Sequence, residues 1–393
     1  MEGKRKICFV TGTRAEYGIL SRLMKAMNED DAVELQIIAT NMHLSPEFGM
    51  TVKEIEEDGL RVDRKVEMLL SSDTAVGTVK SMGLASIGLA DAYAELDPDI
   101  IVILGDRYEM LAAASAALIF GIPVAHLHGG EITEGAYDDA IRHAITKLSY
   151  LHFTSTPEYR DNVIQMGESP DRVFWVGALG ADNIANGDLM SLQELEGSLG
   201  FRLGDDFLLV TFHPVTKEPG QAEFQAKALL DALGNVIGTH KILFTLPNSD
   251  TDGRIIVRMV NDWVQAHPDN AVAVTSLGRR RYYSALRHCK GVVGNSSSGL
   301  CEAPSFRKPT LNIGMRQQGR AQGNTVINCD ATCESISEGL RKMLSDDFTG
   351  YVSQHGVNPY VKPDTLSAIK SVLKDFPLSR HAVKHFYKID NRQ

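Results

Sequence analysis

Five cysteines in 393 residues are too few and too scattered for a disulfide framework. Cys329 and Cys333 form the one close pair among Cys8, Cys289, Cys301, Cys329 and Cys333. That pair lacks the partner ligands of a zinc site. Apolar surroundings suit reduced thiols, so the chain is expected in the cytoplasm. Basic charge is also short. Forty Lys and Arg face fifty Asp and Glu, a formal charge of -10, which argues against a nucleic-acid partner bound by phosphate neutralisation. Long apolar runs are missing. None reaches membrane-spanning length, and the N-terminal run Ile7–Val10 is too short for a signal-peptide core. No membrane partner is expected. HExxH, GxGxxG and GxxxxGK[ST] are absent too, as are sequence repeats and low-complexity segments. What remains is a chain with 43% hydrophobic residues, enough for substantial cores, at a length that suits two domains.

The most informative stretch is Leu104 to Lys147, LGDRYEMLAAASAALIFGIPVAHLHGGEITEGAYDDAIRHAITK. An apolar run, Asp99–Leu104, reads as a buried parallel strand. Gly105-Asp106-Arg107 turns into an apolar helix, which Gly121-Ile122-Pro123 stops. A second strand, Val124–His128, ends in Gly129-Gly130-Glu131, and a helix starts near Asp138. Charged and imidazole groups therefore gather at strand ends, the edge where open α/β sheets bind ligands.

The same alternation runs through the chain. Strands are expected at Lys6–Val10, Val33–Ala39, Leu148–Thr154 and Val173–Val176, with helices between them. After a break over residues 177–205 the pattern restarts with strands at Phe207–Phe212, Ile242–Leu246, Ala271–Thr275, Gly291–Gly294 and Pro309–Ile313. Two such series imply an α/β protein of two Rossmann-like, doubly wound domains with a cleft between them. The expected division is residues 1–178 and 179–363. Asp364–Tyr387, read as helices broken at Pro377, is expected to pack the tail, 364–393, back on the first domain.

Several groups could carry chemistry. Asp106 and Arg107 follow a strand directly, where a plain helix cap is the alternative. His126 and His128 would share a strand face by period two; without a third ligand, a hydrogen-bonded core histidine is the better account of His126. Asp138 with Arg142, and Asp139 with His143, are i,i+4 pairs. Asn295–Glu302, NSSSGLCE, places hydroxyls and amides at a helix start, where anions bind. Glu302 would suit ribose hydroxyls. Arg14, Arg107 and Arg316 follow strand ends and would suit a diphosphate.

GTRAEYG, GDRYE, HLHGGE, DDAIRHAITK, FHPVT, GNSSSGLCEAP and NIGMRQQGR together resemble the UDP-N-acetylglucosamine 2-epimerases over almost the whole chain. GGE and RHAITK look like the hydrolysing branch of sialic-acid synthesis. The resemblance implies a GT-B-like fold and conversion of UDP-GlcNAc and water to N-acetylmannosamine and UDP through a 2-acetamidoglucal. It implies catalytic roles for Asp106, Asp138 and His213. Arg14, Arg107, Ser296, Ser297 and Arg316 match diphosphate contacts, Glu302 the ribose contact, and Leu277 and Tyr282 the uracil site. No cofactor or metal is implied, and a homodimer or homotetramer is expected. Relatives reading HIEGG place a catalytic glutamate where this chain has His128. Glu131 is expected to replace it with His128 orienting, the alternative being His128 as acid–base with Glu131 orienting. Alternatives for the whole are the same reaction on UDP-N,N'-diacetylbacillosamine, a GT-B glycosyltransferase, or a UDP-sugar sensor.

Overall fold

A computed structural model of the chain describes residues 3–72, 74–247 and 252–389. It divides into two compact units. One comprises Met1–Glu131, Asp138–Asn183 and Tyr360–Gln393; the other comprises Ile132–Tyr137 and Ile184–Pro359. Each is a parallel sheet with helices on both faces. Residues 390–393, the end of the expected tail, lie outside the described residues.

The first sheet has seven strands: β1 (Arg5–Thr11), β2 (Val33–Thr40), β3 (Arg64–Val66), β4 (Ile100–Leu104), β5 (Val124–Leu127), β6 (Leu151–Thr154) and β7 (Val173–Trp175). Their order is β3-β2-β1-β4-β5-β6-β7, all parallel. β4 reads IIVIL with every residue buried, because a strand covered on both faces has no solvent side on which to alternate. Ile7 and Phe9 pack into one core with Leu20, Leu23 and Met24. Cys8 and Val10 point to the other, with Leu89, Tyr93 and Ala113. The strand order reverses between β1 and β4, so the Gly12–Arg14 and Gly105–Arg107 turns leave neighbouring strands at the switch point.

The second sheet has six strands: β8 (Leu208–Thr211), β9 (Ile242–Thr245), β10 (Ala271–Val274), β11 (Gly291–Gly294), β12 (Thr310–Ile313) and β13 (Val326–Cys329). Their order is β10-β9-β8-β11-β12-β13, again all parallel. Its switch point lies between β8 and β11, whose ends lead into His213 and Asn295. Gly294 has φ +134, and a Cβ there would overlap the Thr211 carbonyl. The two strand ends approach too closely for any other residue.

Some elements differ from the sequence reading. β3 and β13, and the helices Cys333–Met343 and Asp346–His355, were not anticipated. The tail forms one helix, Thr365–Asp375. From Phe376 to Tyr387 it has no helix, since Pro377 ends the first and no further apolar periodicity follows. Ile369 and Leu373 enter the first unit's core. Arg5 Nη1 donates to the carbonyls of Leu373 at 3.0 Å and Phe376 at 2.9 Å. Among the described residues no helix is long and apolar enough to cross a membrane.

Candidate functional site

In the first unit the site groups cluster where β4, β5 and the helix Asp138–Leu148 meet. Gly105 turns the chain with φ +78. Its amide donates to the Leu127 carbonyl at 2.9 Å, and its carbonyl meets His126 Nε2 at 2.7 Å. Burial drives the His126 pKa down to about 3, so the ring is neutral and donates from Nε2 to that carbonyl. Asp106, next along, pairs with Arg142 Nη2. Arg142 is almost wholly buried. Its Nη1 donates to the Glu131 backbone carbonyl at 2.9 Å and lies 3.9 Å from Asp139 Oδ1. A buried guanidinium thus ties Asp106 to the Glu131 backbone, a tertiary role that helix spacing alone does not reveal. Asp138 is the first residue of that helix.

β5 ends at Leu127, and His128 takes a left-handed backbone, φ +65. The period-two argument that put it beside His126 therefore stops one residue short. A histidine held in this region is strained, and such strain collects at functional sites. His128 Nδ1 lies 2.7 Å from Glu131 Oε1, and Ser155 Oγ donates to the same oxygen at 2.7 Å. Glu131 is 1% exposed. His128 Nε2 is shielded from water and has no hydrogen-bond partner. The result is a carboxylate–imidazole dyad with the second ring nitrogen unspent. Ser155, 24 residues from Glu131 in sequence, carried no signal that could have found it.

Arg14 Nε lies 2.7 Å from Glu54, and Arg107 Nε donates to Glu109 Oε1 at 2.8 Å. Both guanidinium groups are held by carboxylates. Arg316, the third arginine of the expected set, belongs to the other unit.

In the second unit Asn295, fully buried, is the organising residue. Its side chain accepts from the His213 amide at 2.7 Å and donates to the His213 carbonyl at 2.8 Å. Its own carbonyl accepts from Arg316 Nη1 at 3.1 Å and Gln317 Nε2 at 2.9 Å. His213 and Arg316 are thereby fixed on either side of one residue. Ser296 Oγ accepts from the Ser298 amide at 3.4 Å, next to Ser297. The helix expected after them is short, Ser298–Cys301, and continues as the 3-10 turn Ala303–Phe306. Its dipole is correspondingly small, and the hydroxyls and individual amides are the better donors. Glu302, 8% exposed, sits at the junction. Tyr282 lies near Ser298 and Glu302. Burial, with the Glu302 charge adding, raises its phenol pKa. Leu277 is buried at the start of the helix Gly278–His288. Among the described residues no group of three or more His, Cys, Asp or Glu could hold a metal ion.

The segment Ile132–Tyr137, between Glu131 and Asp138, belongs to the second unit. The Glu134 amide donates to the Gln318 carbonyl at 3.0 Å and the Tyr137 amide to Thr216 Oγ1 at 3.0 Å. Gly135 packs so closely on Met315 that a Cβ would overlap its carbonyl.

This chain is 39% identical, over 98% of its length and 99% of the relative's, to a protein of Campylobacter jejuni named GDP/UDP-N,N'-diacetylbacillosamine 2-epimerase (hydrolyzing). It is 35% identical, over 90% of its length and 92% of the relative's, to the Legionella pneumophila UDP-N,N'-diacetylbacillosamine 2-epimerase (hydrolyzing). A Staphylococcus aureus structure described as an MnaA–UDP co-structure shares its fold, with TM-score 0.78 and 16% identity over 94% of this chain and 96% of that one. Such structures are GT-B-like. Residues 25–374 match the family described as UDP-N-acetylglucosamine 2-epimerase. With that match and those identities over nearly whole chains, the protein belongs to the UDP-N-acetylglucosamine 2-epimerase family.

Proposed function

We propose that the protein is a hydrolysing 2-epimerase of a UDP-linked 2-acetamido sugar. It removes the C2 proton and breaks the C1–O bond to UDP, giving a 2-acetamidoglucal. Water then adds across the double bond, hydroxyl to C1 and proton to the opposite face of C2, and the epimerised free sugar leaves. The observation that carries this reading is the His128–Glu131–Ser155 arrangement beside the Asp106–Arg142 pair in the first unit.

Two proton-transfer groups are needed, one for elimination and one for hydration. The dyad geometry supports His128 as one of them. Glu131 fixes the ring through Nδ1 and leaves Nε2 to exchange a proton, the division of labour of a carboxylate-oriented imidazole. This favours the second of the two readings given for the HLHGGE motif. Asp106 and Asp138 serve the remaining acid and base steps. Ser296, Ser297 and Arg316 bind the diphosphate with Arg14 and Arg107. Glu302 holds the ribose, Leu277 and Tyr282 the uracil, and His213 assists leaving-group departure.

Between UDP-GlcNAc and UDP-N,N'-diacetylbacillosamine, the relatives at 39% and 35% identity, both named for the second sugar, favour the second. Proton NMR of each nucleotide sugar incubated with the pure protein tests the whole reading. The expected result is free 2-epimerised sugar and UDP, formed faster from the diacetamido substrate. UDP-GlcNAc turned over faster would reverse the substrate choice. UDP binding without turnover of either would leave the sensor reading. Sugar transfer only when an acceptor is added would leave the glycosyltransferase reading.

A further inference from the structure

Two acids lie under the switch point of the first sheet, and no proposed step uses them. Glu109, in the first turn of the helix Tyr108–Ile119, is fully buried. Its Oε1 receives Arg107 Nε at 2.8 Å, while Oε2 is buried without a hydrogen-bond partner. Glu16, in the first turn of the helix Arg14–Asn28, accepts the Gly12 and Thr13 amides on Oε2 at 2.8 and 3.2 Å. Its Oε1 is likewise buried and unpartnered. A Cβ on Gly12 would overlap the Glu109 carboxylate. The glycine of the GTR motif leaves the room this carboxylate occupies, and a side chain there would displace it.

An ordinary account exists for each acid alone. Glu16 completes a capping box with Thr13, and acids favour first turns. It does not explain why Glu109 is sealed from water, or why the Gly12 turn is built around it. A buried carboxylate is costly unless paired, and the partner given to Glu109 is the arginine that follows Asp106.

We propose that Glu109 is a positioning residue. Seated against Gly12 and above Glu16, it holds Arg107 by its Nε edge in the attitude that receives the diphosphate of the nucleotide sugar. The role rests on Arg107 as a diphosphate contact. An unrestrained arginine loses rotamer freedom on fixing its side chain; here Arg107 is fixed before ligand arrives. Glu16 supports this as a neutral acid. Burial, and then the Glu109 charge, raise its pKa to about 8, so at neutral pH it adds no second negative charge beneath the arginine.

Calorimetry of UDP binding tests the assignment on the full-length protein. Glu109→Gln replaces the acceptor edge with one that can present donors to Arg107, and UDP affinity is expected to fall about tenfold or more. In an Arg107→Lys background, where the Nε edge is gone, the same change is expected to cost less than about threefold, because the two residues act as one unit. Glu16→Gln keeps a neutral shape and is expected to bind UDP within about threefold of wild type. Wild-type affinity in Glu109→Gln overturns the proposal. So does an equal loss with and without Arg107, which would make Glu109 merely structural. A tenfold loss in Glu16→Gln overturns the neutral-acid part. Should Glu109→Gln fail to fold, Glu109→Asp, which keeps the charge but withdraws it from Arg107, is expected to show the same loss, and wild-type affinity there overturns the role. A wild-type protein that does not bind UDP removes the nucleotide reading itself, and this role with it.

Discussion

Stability is expected to peak near pH 7, because three buried histidines and one buried glutamate titrate in opposite senses. Burial lowers the pKa of His126 to about 3 and of His43 and His152 to about 4. In the unfolded chain each returns to about 6.5. Below that value the unfolded chain binds protons that the folded chain refuses, so stability is lost as pH falls. Glu16 works the other way. Its pKa is raised to about 8, so between about 4.5 and 8 the folded chain holds a proton the unfolded chain gives up, and stability falls as pH rises. Glu168 drops out of this range. Burial opposes its charge, but hydrogen bonds from His152, Lys147 and Lys384 keep it ionised down to about 2. From pH 6.5 to 5 the net difference approaches two protons, or about 2.7 kcal/mol per pH unit. Stability should fall by about 3–4 kcal/mol over that interval. From pH 6.5 to 8 the Glu16 proton alone would cost about 1.6 kcal/mol, but the histidines of the unfolded chain, half protonated at pH 6.5, and Lys384, whose pKa burial lowers to about 8, offset most of it, leaving a net change under about 1 kcal/mol. Urea midpoints at pH 5, 6.5 and 8 read both limbs. The Glu16→Gln variant should steepen the acid limb toward three protons and turn the alkaline limb into a gain. A flat acid limb, or a wild-type alkaline limb as steep as the acid one, would refute the reasoning.

Three further outcomes concern the site. Asp106→Asn and Asp138→Asn should keep UDP affinity and lose turnover by about two or more orders of magnitude; a collapse in melting temperature instead would mark these carboxylates as structural. With His128 as the acid–base group, His128→Asn should abolish C2 proton exchange with deuterated solvent and Glu131→Gln should slow it less; the reverse ranking would return the role to Glu131. Glu302→Ala should weaken UDP by about 1–3 kcal/mol, and unchanged affinity by calorimetry would remove it from the ribose.

Much of this fold can be read from the chain because buried parallel strands leave strong marks. IIVIL and the other apolar runs have no competing explanation at their length, and the motifs that follow them fall at both switch points. What escaped has physical reasons too. β3 is three residues of mixed character, RKV, and β13, VINC, is only half-buried. Strands at sheet edges carry little apolar signal. The helix Ser298–Cys301 is short because Pro304 follows within a turn. Arg142 sits at a spacing that suits local pairs with Asp138 and Asp139. Its bond to Asp106, 36 residues away, depends on how β4 and β5 lie side by side. The departure of Ile132–Tyr137 into the second unit left no mark in composition, because the hydrogen bonds of Glu134 and Tyr137 to it run through backbone amides.

The C-terminal helix sets an order of events during synthesis. Ile369 and Leu373 complete the core that begins with Ile7 and Phe9, and Arg5 is anchored to carbonyls at positions 373 and 376. A nascent chain that has emerged through Asn183 therefore has every strand of the first sheet but lacks the cover for one of its faces. At about 5–20 residues per second, the missing helix arrives roughly 10–40 s later. The second unit closes with Pro359, so it can finish before the first. During that interval the apolar face around Leu20 and Met24 is open to water and to chaperones. A stop codon between Pro359 and Ile369 would spare the unit synthesised later and ruin the one synthesised first.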